Sequence, residues 1–173
     1  MKTLIDFLED HSKNNPTKIA IITKNNTLTY QELSERSSQF QNSLNNFSKN
    51  SVISLMFENS IDFVVSYIGT LKAGLTAHIL SPNISRNNLL FQINNSNSQL
   101  LVTENLDFSS LKNTDSLIKI KPFSEMLSKV NYTNPEISSN DFAHLLYTSG
   151  TTSEPKGVGI THSTIIFTLK NII

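Results

Sequence analysis

Apolar positions along this chain fall at two spacings, one of helices and one of strands, and the two alternate. Leu4, Phe7, Leu8 and His11 share a helical face behind Thr3, whose hydroxyl can pair with Asp6 as a cap, and Asn14-Asn15-Pro16 stops that helix. Ile19–Thr23 is a β-branched run, and Asn25-Asn26 turns it into Leu28. Thr29 and Glu32 form a second capping box, opening a helix that sets Leu33, Phe40, Leu44 and Phe47 on one stripe. Val52–Phe57 reads as a buried strand, followed by a helix from Ser60 to about Lys72 carrying Phe63, Val64, Tyr67, Ile68 and Leu71, with Gly74 just past its end.

The same alternation continues. Thr76–Leu80 is a strand, Ser81-Pro82 a turn, Ser85–Asn95 a helix bearing Leu89, Leu90 and Ile93, and Leu100–Thr103 a strand. Glu104–Asp115 is weakly patterned and reads as loop. Leu117–Ile120 reads as a short strand, Pro122 as the first turn of a helix through Lys129, and Asn131–Asn140 as a polar connector. Phe142–Tyr147 and Val158–Thr161 are strands on either side of a polar loop, and Thr161 or Ser163 caps a last helix. Strands alternating with helices of this length predict an α/β fold with a mainly parallel sheet flanked by helices.

Composition narrows the function classes. The 173 residues suit one domain, and 14 basic against 14 acidic residues leave no electrostatic footprint for nucleic acid. No run approaches the roughly 20 apolar residues of a membrane span, and the acids near the N-terminus exclude a secretory signal. With no cysteine there is neither a thiol nucleophile nor a disulfide frame, which fits a cytoplasmic setting. His11, His78, His144 and His162 lack metal-site spacing, and no G-x-S-x-G elbow accompanies the many serines, so no metal ligand or catalytic residue is assigned. His144 reads as structural; His162 fits either a helix start or an approach to a ligand pocket.

The chemistry concentrates in Tyr147–Val158, Y-T-S-G-T-T-S-E-P-K-G-V. Hydroxyls and amides crowd around Gly150, with Lys156 close behind, a donor set suited to a polyphosphate. It is not a Walker loop, because no G-x-x-x-x-G-K-S/T is present.

Three collinear stretches resemble the adenylate-forming superfamily of acyl-CoA synthetases, luciferase-like enzymes and peptide-synthetase adenylation domains. They are Leu28–Leu33 (L-T-Y-Q-E-L), Asn59–Gly74 (N-S-I-D-F…L-K-A-G, with Pro82 following) and Tyr147–Gly157 itself; His162 also matches a family position. The resemblance implies the opening part of the family's large domain over residues 1–173. It implies ATP and Mg2+, activation of a small carboxylic acid as an acyl-adenylate, and transfer to a thiol of CoA or a carrier protein. By position, Thr148, Ser149, Gly150, Thr151, Thr152 and Lys156 would hold the nucleotide's β- and γ-phosphates.

The sequence departs from the family in two respects. Ser153 stands where a further glycine is usual, costing about 1–2 kcal/mol if that position is left-handed, and Glu154 adds a negative charge beside the loop. The downstream Tyr-Gly-x-Thr-Glu segment, the ribose-binding aspartate and the C-terminal lysine have no counterpart in the 173 residues. The expectation is therefore a truncated chain that is inactive alone and self-associates through an uncovered face. It derives from an AMP-forming acid–thiol ligase, closer to a CoA ligase than to a peptide-synthetase module, or is a non-catalytic remnant.

Overall fold

The computed structural model of the chain describes residues 3–104, 118–129, 135–148 and 155–172. Its elements are α1 (Leu4–Asn14), β1 (Ile19–Ile22), β2 (Thr27–Thr29), α2 (Tyr30–Asn42), β3 (Val52–Met56), α3 (Ile61–Lys72), β4 (Thr76–Leu80), α4 (Arg86–Asn95), β5 (Leu100–Thr103), β6 (Lys119–Pro122), β7 (Phe142–Thr148), β8 (Lys156–Thr161) and α5 (His162–Ile172). β1 and β2 form a separate hairpin, and the six-stranded sheet runs β6-β5-β3-β4-β7-β8. Every pairing in it is parallel except that of β8, which returns antiparallel to β7. The expected α/β architecture is the observed one.

The central strands are buried on both faces, which is why they read as continuous apolar runs. Ile53 and Leu55 of β3 join the core shared with α1, α2 and α3, while Met56, Leu80 and Leu101 pack with Leu89 and Ile93 of α4 on the other face. Between α2 and α3 the contact is close enough to require glycine. A β-carbon at Gly69 would stand 2.7 Å from the Ser37 carbonyl oxygen and 2.8 Å from the Phe40 ring.

The helix ends follow the sequence signals. Thr3–Asp6 and Thr29–Glu32 make reciprocal capping boxes. Thr161 Oγ1 accepts from the Thr164 N–H at 3.3 Å and so caps α5. At the end of α3, Gly74 takes a left-handed φ of 68°. Its N–H bonds the Leu71 carbonyl at 2.9 Å while Leu75 N–H reaches Thr70 at 3.2 Å, the paired bonds of a Schellman stop.

Three local expectations shift. α2 ends at Asn42, where Ser43 Oγ bonds the Phe40 carbonyl at 2.7 Å; Leu44 is buried and Phe47 partly buried, but both lie beyond the helix. β6 covers Lys119–Pro122 because its register on β5 pairs Leu101 with Ile120 and Thr103 with Pro122. After Pro122 only one 3-10 turn forms, Phe123–Glu125. Phe123 stacks on Phe40 with centroids 6.0 Å apart, and Ser128 N–H bonds the Gln39 carbonyl at 3.0 Å, so tertiary contacts replace a continuing helix. The loop read over 104–115 lies, apart from Glu104, outside the described residues, as do 131–134 of the connector, whose remainder, 135–140, carries no helix or strand.

One lysine joins three helices. Lys72, in the last turn of α3, is buried, and its Nζ lies 2.7 Å from Glu9 Oε1 of α1, 2.9 and 3.0 Å from Ser34 Oγ and O, and 3.0 Å from Ser38 Oγ of α2. Gln41 Nε2 donates to the Lys72 carbonyl at 3.0 Å. Burial lowers the Lys72 pKa and Glu9 opposes that shift. Burial alone would raise Glu9, but the bond and charge of Lys72 bring it below its usual range. Glu9→Ala leaves a buried cation with neutral acceptors. It should destabilise by ~1–3 kcal/mol, less than for a fully buried pair because the Glu9 side chain is 38% exposed. Urea unfolding measures this, and adding Lys72→Met should recover part of the loss.

Candidate functional site

The site begins where β7 leaves the sheet. β7 lies beside β4, pairing Ala77 with His144 and His78 with Leu145, so Thr148 stands at the carboxyl edge. That edge is where open α/β sheets bind ligands. β8 returns with Lys156 directly opposite Thr148, and directly opposed residues carry their β-carbons roughly 5 Å apart on one face. Both side chains are exposed. Of the residues expected at the phosphates, these two are therefore brought together; Ser149, Gly150, Thr151 and Thr152, with Ser153 and Glu154, lie outside the described residues.

The other face of the hairpin is packed. Tyr147 points to α4, where its hydroxyl donates to Asn95 Oδ1 at 2.7 Å. Its ring lies 5.2 Å from that of His78 and meets Phe91 edge-on at 6.4 Å and 82°. Gly157 is directly opposite Tyr147, and a β-carbon there would come within 3.2 Å of the ring's Cζ. The glycine after Lys156 thus makes room for Tyr147. Gly159 does the same for Phe142, whose Cε1 would be 2.6 Å from an added β-carbon.

Buried imidazoles lie behind the site. His78 Nδ1 is 2.9 Å from Ser54 Oγ, which in turn donates to Ser98 Oγ at 2.7 Å, and Nε2 has no hydrogen-bond partner among the described residues. Burial pushes its pKa down to about 4, and neighbouring Gln92 opposes this only weakly. His144 Nδ1 is 2.9 Å from the Tyr67 hydroxyl, the structural role its strand position suggested, and burial lowers its pKa and raises that of Tyr67. His162 is buried at the start of α5, where burial lowers its pKa against the opposing charges of Asp141 and Asp6.

A crevice of about 280 Å³ runs along the same carboxyl edge, lined by Met56, Phe57 and Glu58 after β3, Pro82 and Asn83 after β4, and Thr103 and Glu104 at β5. Glu104 accepts from the Ser60 hydroxyl, which also caps α3. Sequence reading singled out none of Asn95, His78 or Glu104 for this region. Asn95 is one asparagine in an asparagine-rich helix, and only the pairing of β7 with β4 brings α4 beneath Tyr147.

A sequence profile described as AMP-binding enzyme matches residues 8–173. The chain belongs to the AMP-binding enzyme family. Among relatives, zwittermicin A synthase ZmaJ of Bacillus cereus is 35% identical over 176 residues, 96% of this chain and 32% of that protein. Tyrocidine synthase 3 of Brevibacillus parabrevis is 29% identical over 167 residues, 95% of this chain and 3% of that protein. The chain thus spans under a third of the length of either relative.

Solved structures share the fold. The o-succinylbenzoate CoA synthetase of Bacillus subtilis, in complex with the acyl-adenylate intermediate OSB-AMP, superposes with a TM-score of 0.85 at 24% identity, over 96% of this chain and 45% of that one. A fatty acid AMP ligase from Legionella pneumophila gives 0.85 at 22% identity, over 99% and 32%. No described helix of this chain is long and apolar enough to cross a membrane.

The buried imidazoles give the stability of the chain a pH dependence of definite sign. The unfolded chain takes up a proton at His78 near the ordinary value of 6.5, the folded chain only near 4. This contribution to stability is complete above about 6.5 and is lost as pH falls towards 4, at up to about 1.4 kcal/mol per pH unit. His144 and His162 act in the same direction. Urea midpoints from pH 7 to 4.5 should fall more steeply for the native chain than for His78→Asn, and parallel slopes would refute the assignment.

Proposed function

We propose that the chain supplies the phosphate-holding part of an enzyme that activates a carboxylic acid with ATP, as acyl-adenylate, and passes the acyl group to a thiol. Family membership supports adenylate formation. The observation that carries the site is the pairing of Thr148 with Lys156 at the carboxyl edge, both exposed, with hydroxyl-rich residues between them. In this reading Thr148, Ser149, Gly150, Thr151 and Thr152 donate hydrogen bonds to the β- and γ-phosphates and the Lys156 ammonium neutralises their charge. Phosphoryl chemistry of this kind depends on positioning and charge stabilisation. Mg2+ enters as the counter-ion of ATP, bound to phosphate; among the described residues no group of three His, Asp or Glu is placed to hold it.

The names of the relatives, tyrocidine synthase 3 and bacitracin synthase 2 among them, favour a carrier-protein thiol as acceptor over CoA. The preference drawn from sequence was the opposite, for CoA. The absence of cysteine remains the support for a cytoplasmic setting.

A second reading keeps the fold as a binding module without turnover. Calorimetry with Mg·ATP should show Lys156→Ala weakening binding at least tenfold, the loss of one charge-assisted contact. ATP–pyrophosphate exchange by the 173-residue chain over a panel of carboxylic acids should give no signal, and robust exchange would exclude the binding module.

Phe142, Leu146 and Val158 of the hairpin and Phe167 and Ile172 of α5 are exposed, which supports self-association through this side. Sedimentation at rising concentration should show oligomers. A monomer throughout would count against it.

A further inference from the structure

We propose that Tyr147 is a positioning residue for the polyphosphate site, acting through Asn95 of α4 to fix where Thr148 and Lys156 stand. The inference rests on the phosphate-site reading above. β7 is paired to β4 only through His144 and Leu145, and although β4 runs on to Leu80, Leu146, Tyr147 and Thr148 have no described ladder partner on that side. From there their strand partners are Val158, Gly157 and Lys156 of β8, which is itself the edge of the sheet. A two-stranded ladder alone is marginally stable in water.

One described side-chain hydrogen bond ties this end of the hairpin to the body of the protein, from the Tyr147 hydroxyl to Asn95 Oδ1 at 2.7 Å. The aromatic ring adds contacts to His78 of β4 and to Phe91, one helical turn before Asn95 on α4. Gly157 admits the ring against the backbone of β8, so one side chain clamps both strands of the hairpin to α4. The next pair along the ladder is Thr148 and Lys156. Alternation turns them to the opposite face, so Tyr147 can hold them without meeting the ligand. Burial raises the tyrosine's pKa, which keeps its hydroxyl a donor at neutral pH.

The test uses the 173-residue chain, with Mg·ATP and inorganic tripolyphosphate as probes. Tyr147→Phe removes only the hydroxyl, Asn95→Leu removes the acceptor, and Asn95→Asp keeps one. Each of the first two should weaken both probes about fivefold, the scale of one uncharged hydrogen bond. The double variant should lose no more than either single one, and Asn95→Asp should stay within about twofold of the native chain. Amide exchange without ligand should quicken at Leu146, Thr148 and Lys156 in Tyr147→Phe and Asn95→Leu, with β3 unchanged.

Unchanged exchange at those amides overturns the proposal. So does unchanged affinity in both variants when Lys156→Ala weakens binding. A native chain that binds neither probe removes the phosphate reading and this role with it, while the exchange data still report separately whether the clamp exists.

Discussion

A buried ammonium cannot be left short of acceptors, and that constraint organises the helical layer. Lys72 Nζ collects a carboxylate oxygen from α1 and hydroxyl and carbonyl oxygens from α2, and each partner must stand within about 3 Å of one point. Satisfying it fixes the mutual placement of α1, α2 and α3. Gly69 then lets α2 and α3 touch backbone to side chain, and the layer closes over Ile53, Leu55 and Ala77. β4 is the strand on which β7 is laid, so the candidate phosphate site inherits its position from a lysine in the layer behind it.

β4 also links the two sides of the sheet. Ala77 faces the three-helix core, whereas His78 lies on the α4 side among Ser54, Ser98 and Tyr147. Polar groups this deep are tolerated because they bond one another, and the uncharged imidazole removes the need to bury a second cation. The result is a sheet whose α4 face has a polar seam ending at Tyr147.

Local signals in the sequence were sufficient for most of the fold. The caps at Thr3, Thr29, Ser60 and Ser85 are short-range chemistry, and each starts a helix where the residues say it should. The misjudged points depend on distant partners. Phe123 abandons a helix to stack on Phe40, β6 slides to match β5, and Lys72 looked like part of an ordinary helix end until α1 was folded onto it. In the candidate site, the strand–loop–strand arrangement that sets Thr148 opposite Lys156 was legible from a compact local pattern. Asn95 was not, since its importance comes from a bond across 52 residues of sequence. Gly157, part of the motif stretch but given no role in it by the sequence reading, proves to be a packing requirement of Tyr147.

The pairing of Thr148 with Lys156 has a thermodynamic consequence for residues 149–155 between them. In an unstructured chain, bringing the two ends of such a segment together carries an entropic penalty that rises with the logarithm of its length. Here the strand ladder has already met that penalty during folding. An anion settling between the strand ends would therefore not have to close a ring of polymer, and its binding free energy would be spared that penalty.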